Sequence, residues 1–342
     1  LIKDGFYRPP LFNILEGSFI FLLGHHQIIL KAITPFIAFL TGLATYLLVK
    51  RLYNHEIAFI ASVILVTMQS FISYAVLLYS DMLLTFYLAL FFLTFLIAVK
   101  ENNRKYMFLS AVFAGLAFLT KHGAISALVF LPLAFFYTII KERNLYHNLR
   151  QYFAFAIIFL LVVSPFLIRN IYYYQTPLCV ALPLIDRDGC AIKGFKETLT
   201  FETRTFAGGS EDNVLRFGLR NYISFAYGNV WFILIGLFGG LMFFLFNLNK
   251  LNSLMLLMLL GGILLLFQSK SRTEDAVRYT IFWALPIAVI SSVYWHEISK
   301  WFKNYQKYIF IGIIAVILLL GYQGLMNRLP TLKQVKAFSP SF

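Results

Sequence analysis

About ten runs of mostly apolar residues recur along this chain, at 28–49, 56–74, 82–99, 106–120, 123–140, 151–169, 221–247, 251–268, 278–295 and 308–326. Most are long enough, or nearly so, to cross the hydrocarbon of a bilayer. Lipid offers the backbone no water, so such runs fold as helices that satisfy their own N–H and C=O groups. With 60% hydrophobic, 18% aromatic and only 13% charged residues among 342, an ordinary soluble domain is excluded. The expected fold is an all-α polytopic membrane protein, a bundle of about ten transmembrane helices.

Before the first long run, Pro9-Pro10 leads into Leu11 to Leu23, with Glu16 inside. This stretch is too short to span and reads as an interfacial or re-entrant helix with the prolines at its N-terminus. The chain opens on Leu1 rather than Met, with neither a signal peptide nor a first hydrophobic helix before the polar start. A truncated or processed chain is expected on that ground. The expected division is 1–171, an N-terminal transmembrane region; 172–220, a long extracytoplasmic loop; 221–326, the C-terminal helices; and 327–342, a tail.

The net charge of +14 would suggest nucleic acid in a soluble protein. Here the basic residues fall in short gaps between apolar runs and read as topology signals and partners for anionic lipid. If the spans alternate, Lys50-Arg51, Lys100 with Arg104-Lys105, Lys141 with Arg143 and Arg150, Lys250, and Lys300 with Lys303 and Lys307 share one side. The positive-inside rule makes that side cytoplasmic. The N-terminal segment, Asp81, Lys121, Arg169, 172–220 and Lys270 to Arg278 then meet at the outer face.

Asp81 stands in Leu77-Leu78-Tyr79-Ser80-Asp81-Met82-Leu83-Leu84-Thr85-Phe86, at the mouth of a membrane-length apolar run. A charge there is costly unless it has a partner or a wet cavity, which points to a functional site. The competing reading is a carboxylate that caps the helix and favours its dipole. Asp4, Arg8, Asp81, Lys121, Arg169, Arg272 and Arg278 give the outer face two carboxylates and several cations. Such cations suit a phosphate whose lipid tail lies in the bilayer, although each taken singly also fits snorkelling or topology.

The stretch 172–220 carries both cysteines, Cys179 and Cys190, which are expected to form a disulfide outside the cytoplasm or else to remain two thiols. His25-His26 lacks a carboxylate or Cys at ligand spacing, and His122 beside Lys121 is equally ambiguous, so no metal is assigned and a divalent ion has no support from spacing. Walker, dinucleotide and nucleophile-elbow patterns are absent from the sequence, which argues against an enzyme of soluble nucleotides.

Four stretches together resemble a known family: Tyr7-Arg8-Pro9-Pro10-Leu11, Ser80-Asp81-Met82-Leu83-Leu84-Thr85, Gly115-Leu116-Ala117-Phe118-Leu119-Thr120-Lys121 and Ser164-Pro165-Phe166-Leu167-Ile168-Arg169-Asn170. They look like the integral-membrane GT-C glycosyltransferases, in the group of protein O-mannosyltransferases and aminoarabinose transferases, glycosyltransferase family 39. Arg278-Tyr279 with Leu285-Pro286 resembles a later helix start of that family. The resemblance is good over about residues 5–170 and loose beyond.

The resemblance implies transfer of a sugar from a polyprenyl-phosphate carrier, dolichyl- or undecaprenyl-phosphate, to a protein, lipid or glycan acceptor. It implies Asp81 as the acidic active-site residue and Arg8 beside the donor phosphate, with Lys121 and Arg278 at further basic positions of the cavity. Asp4, Tyr7 and Arg169 are supporting candidates. Tyr7 stands where the aminoarabinose transferases carry Glu, and the family's first acidic motif, with its general base, is expected upstream of Leu1. The chemistry fits the residues, because cations hold the charge growing on a phosphate leaving group while a carboxylate takes a proton or steadies an oxocarbenium-like centre. Inverting displacement without a covalent intermediate is the expected mechanism. The expected location is the cell membrane of a prokaryote, with the site on the extracytoplasmic face. The alternatives are a transporter or a non-catalytic binder of the lipid-linked sugar.

Overall fold

The computed structural model of the protein describes residues 9–24, 26–121, 124, 130–142, 145–174, 177, 190–191, 198–199, 230–268 and 284–335. Each of the ten expected runs carries a helix in its described part. The helices are α1 (Leu11–Leu23), α2 (Gln27–Leu52), α3 (His55–Thr67), α4 (Gln69–Ala75), α5 (Ser80–Glu101), α6 (Arg104–Thr120), α7 (Phe130–Glu142) and α8 (Leu145–Tyr174). After the polar segment come α9 (Val230–Phe246), α10 (Lys250–Gln268), α11 (Ala284–Trp301) and α12 (Gln306–Val335). Within that segment two short strands, β1 (Cys190–Ala191) and β2 (Thr198–Leu199), pair antiparallel with Cys190 opposite Leu199.

Among the described residues four helices are long and apolar enough to cross a membrane: Ile28–Leu52, Ser80–Glu101, Leu149–Tyr172 and Lys303–Gln323. A fifth crossing is made if α3 and α4 count as one broken span. The run 56–74, expected as one helix, is bent by 64° at that break. Met68 causes it by adopting φ −60° and ψ 134°, outside the helical region, so that α4 starts in a new direction. At the other end of the chain, the helix α12 runs on to Val335, past residue 326 where the apolar pattern ends and through Pro330.

Local chemistry explains several helix limits. Asn54 caps α3 by accepting from the Ile57 N–H at 2.8 Å, and Asn103 caps α6 by accepting from Lys105 N–H at 3.0 Å. Gly24 closes α1 at φ 84°, and Asn102 closes α5 at φ 51°, the left-handed conformations that these residue types tolerate best.

The central helix is α5. Of its 18-residue apolar window 83% is buried within the protein, whereas α8 and α12 bury only 17% and turn the rest outward. A helix apolar all round belongs inside such a bundle. Phe91, Phe92 and Phe95 of α5 are fully buried and meet Phe130 of α7, Phe155 of α8 and Tyr152 in edge-on and tilted contacts at centroid distances of 5.3–6.0 Å. Against α5 pack α6, running antiparallel, and α2; α8 covers α6, while α11 packs on α3 and α9. A Cβ added at Gly115 would lie 2.6 Å from Val162 Cγ1, so the α6–α8 approach requires a residue without a side chain.

The basic end of the bundle is stapled by polar contacts. Arg51 grips Glu101 with two hydrogen bonds of 2.7 Å and also reaches the Tyr106 hydroxyl, tying the end of α2 to the α5–α6 turn. His296 of α11, 1% exposed, lies between Asn54 at 3.2 Å and Glu56 at 3.0 Å.

Candidate functional site

Asp81 sits in the first turn of α5, and Lys121 is the residue that ends α6. Because the two helices run antiparallel and pack along their length, their first and last turns face each other at one end of the bundle. There Lys121 Nζ donates to Asp81 Oδ1 at 2.5 Å. The Asp81 side chain has no exposed surface, and that of Lys121 keeps 23%.

The backbone sets up this meeting. Lys121 adopts an extended conformation, φ −159° and ψ 135°, while its N–H still donates to Ala117 O at 3.1 Å, so the side chain leaves the helix just as the helix stops. On the other partner, Thr85 Oγ1 donates to the Asp81 carbonyl at 2.8 Å. The N-cap position of α5 is Tyr79, extended and without a side-chain cap bond. Asp81 is therefore inside the first turn, where a carboxylate suits the dipole, and its carboxylate is turned to a cation on another helix.

A second polar group lies at the same end of α8. Arg169 Nη2 donates to Asn170 Oδ1 at 3.0 Å, and its guanidinium stands 4.9 Å from the centre of the Phe166 ring. Asn170 is fully buried and donates through Nδ2 to Pro177 O at 3.1 Å, anchoring the start of the polar segment to the helix. Asn170 was not among the residues expected at the site. Its signal in the sequence is an amide directly after a basic residue at the end of an apolar run, a pattern that ordinary helix ends share.

Three of the four motif stretches thus converge. Residues 80–85 and 115–121 are joined by the Asp81–Lys121 pair, and 115–121 meets 164–170 through Phe118 and Phe166, whose rings are 6.3 Å apart. The described part of the first stretch, Pro9 to Leu11, opens α1, which rests on α2 and α6. Asp4, Tyr7, Arg8, Arg272, Arg278 and Cys179 lie outside the described residues, as do the side chain of Cys190 and His25 and His122. Among the described residues no group of three or more His, Cys, Asp and Glu side chains is placed to hold a metal.

Comparison with known proteins gives this geometry its context. Residues 7–168 match the family described as dolichyl-phosphate-mannose-protein mannosyltransferase. No curated protein matches the sequence. The fold is similar to that of ArnT from Cupriavidus metallidurans in its apo state, with TM-score 0.60 and 14% identity over 94% of this chain. It is equally similar to ArnT from the same organism bound to undecaprenyl phosphate, with TM-score 0.59 and 13% identity. The chain spans 62% of the length of those two solved structures. Asp81, Lys121 and most of Ser164 to Asn170 fall inside the matched stretch 7–168, on a chain whose fold is similar to that of ArnT.

Proposed function

We propose that this chain carries the transmembrane catalytic part of a glycosyltransferase that moves a hexosyl or pentosyl group from a polyprenyl-phosphate carrier to a protein, lipid or glycan acceptor. The observation that carries the reading is the buried Asp81–Lys121 pair, set where three motif stretches meet within the matched family segment. The likeness to ArnT, one of whose structures holds undecaprenyl phosphate, supports the carrier class.

In the proposed reaction an acceptor oxygen attacks the anomeric carbon while the bond from that carbon to the phosphate oxygen breaks. The electron pair leaves with the phosphate, and inversion results from a single displacement. Lys121, with Arg8 and Arg278, holds the negative charge that grows on the departing phosphate. Asp81 accepts the acceptor's proton or steadies positive charge at the anomeric carbon. In this reading 1–171 forms the catalytic region, 172–220 a loop over the same end, and 221–326 the supporting helices before the tail 327–342. Charge asymmetry between helix ends supports an outer-face site, with Lys50, Arg51, Lys100 and Lys250 at the opposite, basic end.

The test is product analysis. Full-length protein, supplied with a polyprenyl-phosphate sugar and candidate acceptors, is expected to release polyprenyl phosphate and to form a glycosylated acceptor detected by mass spectrometry. A carrier molecule recovered unchanged on the other side of a vesicle would replace this reading with transport, for which the break between α3 and α4 is a suitable structural feature.

A further inference from the structure

At the end of the bundle opposite Asp81, helices α2, α5 and α10 leave a cleft of about 390 Å³. Leu52, Leu96 and Leu254 line it and are buried, which makes its base apolar. Its rim is cationic. Lys100 Nζ donates to the carbonyls of Arg51 at 3.1 Å and Leu52 at 2.5 Å, and Lys250 Nζ donates to Val99 O at 2.8 Å. These bonds fix both ammonium groups over the last turns of α2 and α5, at the edge of the cleft. Tyr53, another lining residue, places its hydroxyl 3.4 Å from Asn252 Oδ1. The nearby carboxylate of Glu101 is held on both oxygens by Arg51, so the local balance of charge stays positive.

We propose that this cleft binds the headgroup of an anionic phospholipid, its phosphate at Lys100 and Lys250 and its glycerol and first acyl carbons against Val99 and Leu251, above the leucine base. A lysine that only closed a helix end would need no cleft beneath it, and a soluble anion would gain nothing from a leucine floor. Paired cations above apolar walls match a lipid, which is charged at one end and apolar at the other. The end concerned carries Lys50, Arg51, Arg104, Lys105 and Lys300 as well, the face that meets an anionic leaflet under the positive-inside rule. This inference is independent of the transfer reaction.

Native mass spectrometry of the full-length protein tests it, after reconstitution in mixed phosphatidylglycerol and phosphatidylcholine and release into detergent. The expected result is retention of one phosphatidylglycerol at about fivefold or more over phosphatidylcholine, the scale of one lysine acting on an anionic headgroup. Lys100→Gln with Lys250→Gln should abolish that preference. Should loss of those lysines unfold the helix ends, Leu251→Trp, which fills the cleft from a half-buried lining position and keeps both ammonium groups, should abolish it too. Equal retention of the two lipids by the unaltered protein, or an unchanged preference in the folded variants, would overturn the proposal. Displacement of the lipid by millimolar inorganic phosphate would assign the cleft to a soluble anion and overturn it equally.

Discussion

Lys121 and Asp81 stand forty residues apart in the chain and 2.5 Å apart in the fold, one ending α6 and the other opening α5. The carboxylate is wholly enclosed while the ammonium keeps a partly open side. A buried charge with a fixed counter-charge is costly to assemble and strongly destabilising to break, so the pair ties stability to the same atoms proposed for chemistry.

Lys121→Met leaves Asp81 enclosed without its ammonium partner. The expected loss is about 2–3 kcal/mol, below the full figure for a dry pair because Lys121 is partly solvated. Thermal unfolding in detergent should show a lower midpoint, with Lys121→Arg recovering most of it. An unchanged midpoint in Lys121→Met would mean that the contact adds nothing to folding.

Asp81→Asn keeps shape and hydrogen-bonding capacity but removes the charge. If Asp81 takes a proton or steadies the reacting carbon, turnover of the full-length enzyme should fall roughly a hundredfold or more while donor binding persists. If the carboxylate only suits the helix dipole, the loss is about 1 kcal/mol of stability and turnover is near normal. Near-normal transfer rates would remove Asp81 from the active site.

Arg8→Ala and Arg278→Ala test the proposed phosphate contacts. Each should cost on the order of 1.5–3 kcal/mol of donor binding, roughly ten- to a hundredfold in Kd. Titration with a polyprenyl-phosphate sugar reads this directly, and unchanged affinity in both variants would end the assignment.

Gly115→Ala probes the contact between α6 and α8. The new Cβ would sit 2.6 Å from Val162 Cγ1 and 2.8 Å from its Cβ, so the helices must separate. A loss of about 1–3 kcal/mol is expected. Gly17→Ala, where nothing lies within 4 Å, serves as the control and should leave the midpoint unchanged or slightly raised. Equal midpoints for the two variants would contradict the packing described.

His296→Ala removes the buried ring between Asn54 and Glu56 that joins α11 to the start of α3. Loss of those contacts should cost about 1–3 kcal/mol. A double-mutant cycle with Glu56→Gln measures the shared part, and strict additivity would show that the two side chains do not interact.

The membrane bundle was legible in the chain because a bilayer leaves so few choices. Runs such as 82–99 and 151–169 have to be helical in lipid, and basic residues at alternate gaps order their ends. Patterning did not place the break at Met68, which lies within the run 56–74 between Thr67 and Gln69 and depends on one residue's ψ angle. Nor could it foresee α12 continuing through polar residues to Val335. Periodicity also cannot rank burial: 82–99 and 151–169 read alike as apolar runs, yet one is the centre of the bundle and the other faces outward.

For the site, sequence alone determined that Asp81, Lys121 and Arg169 lie at one end of the bundle, since alternation of spans requires it. The motif resemblance singled out the same stretches that match residues 7–168. Which side chains touch was decided by the tertiary structure. The direct contact of Lys121 with Asp81 depends on α6 ending in an extended residue beside the first turn of α5, and the clasp of Asn170 on Pro177 depends on how the chain leaves α8. Hydrophobicity determines which segments enter a membrane but is indifferent to their rotation and neighbours. Those are set by close packing such as Gly115 on Val162, and by the few polar pairs that have no water to turn to.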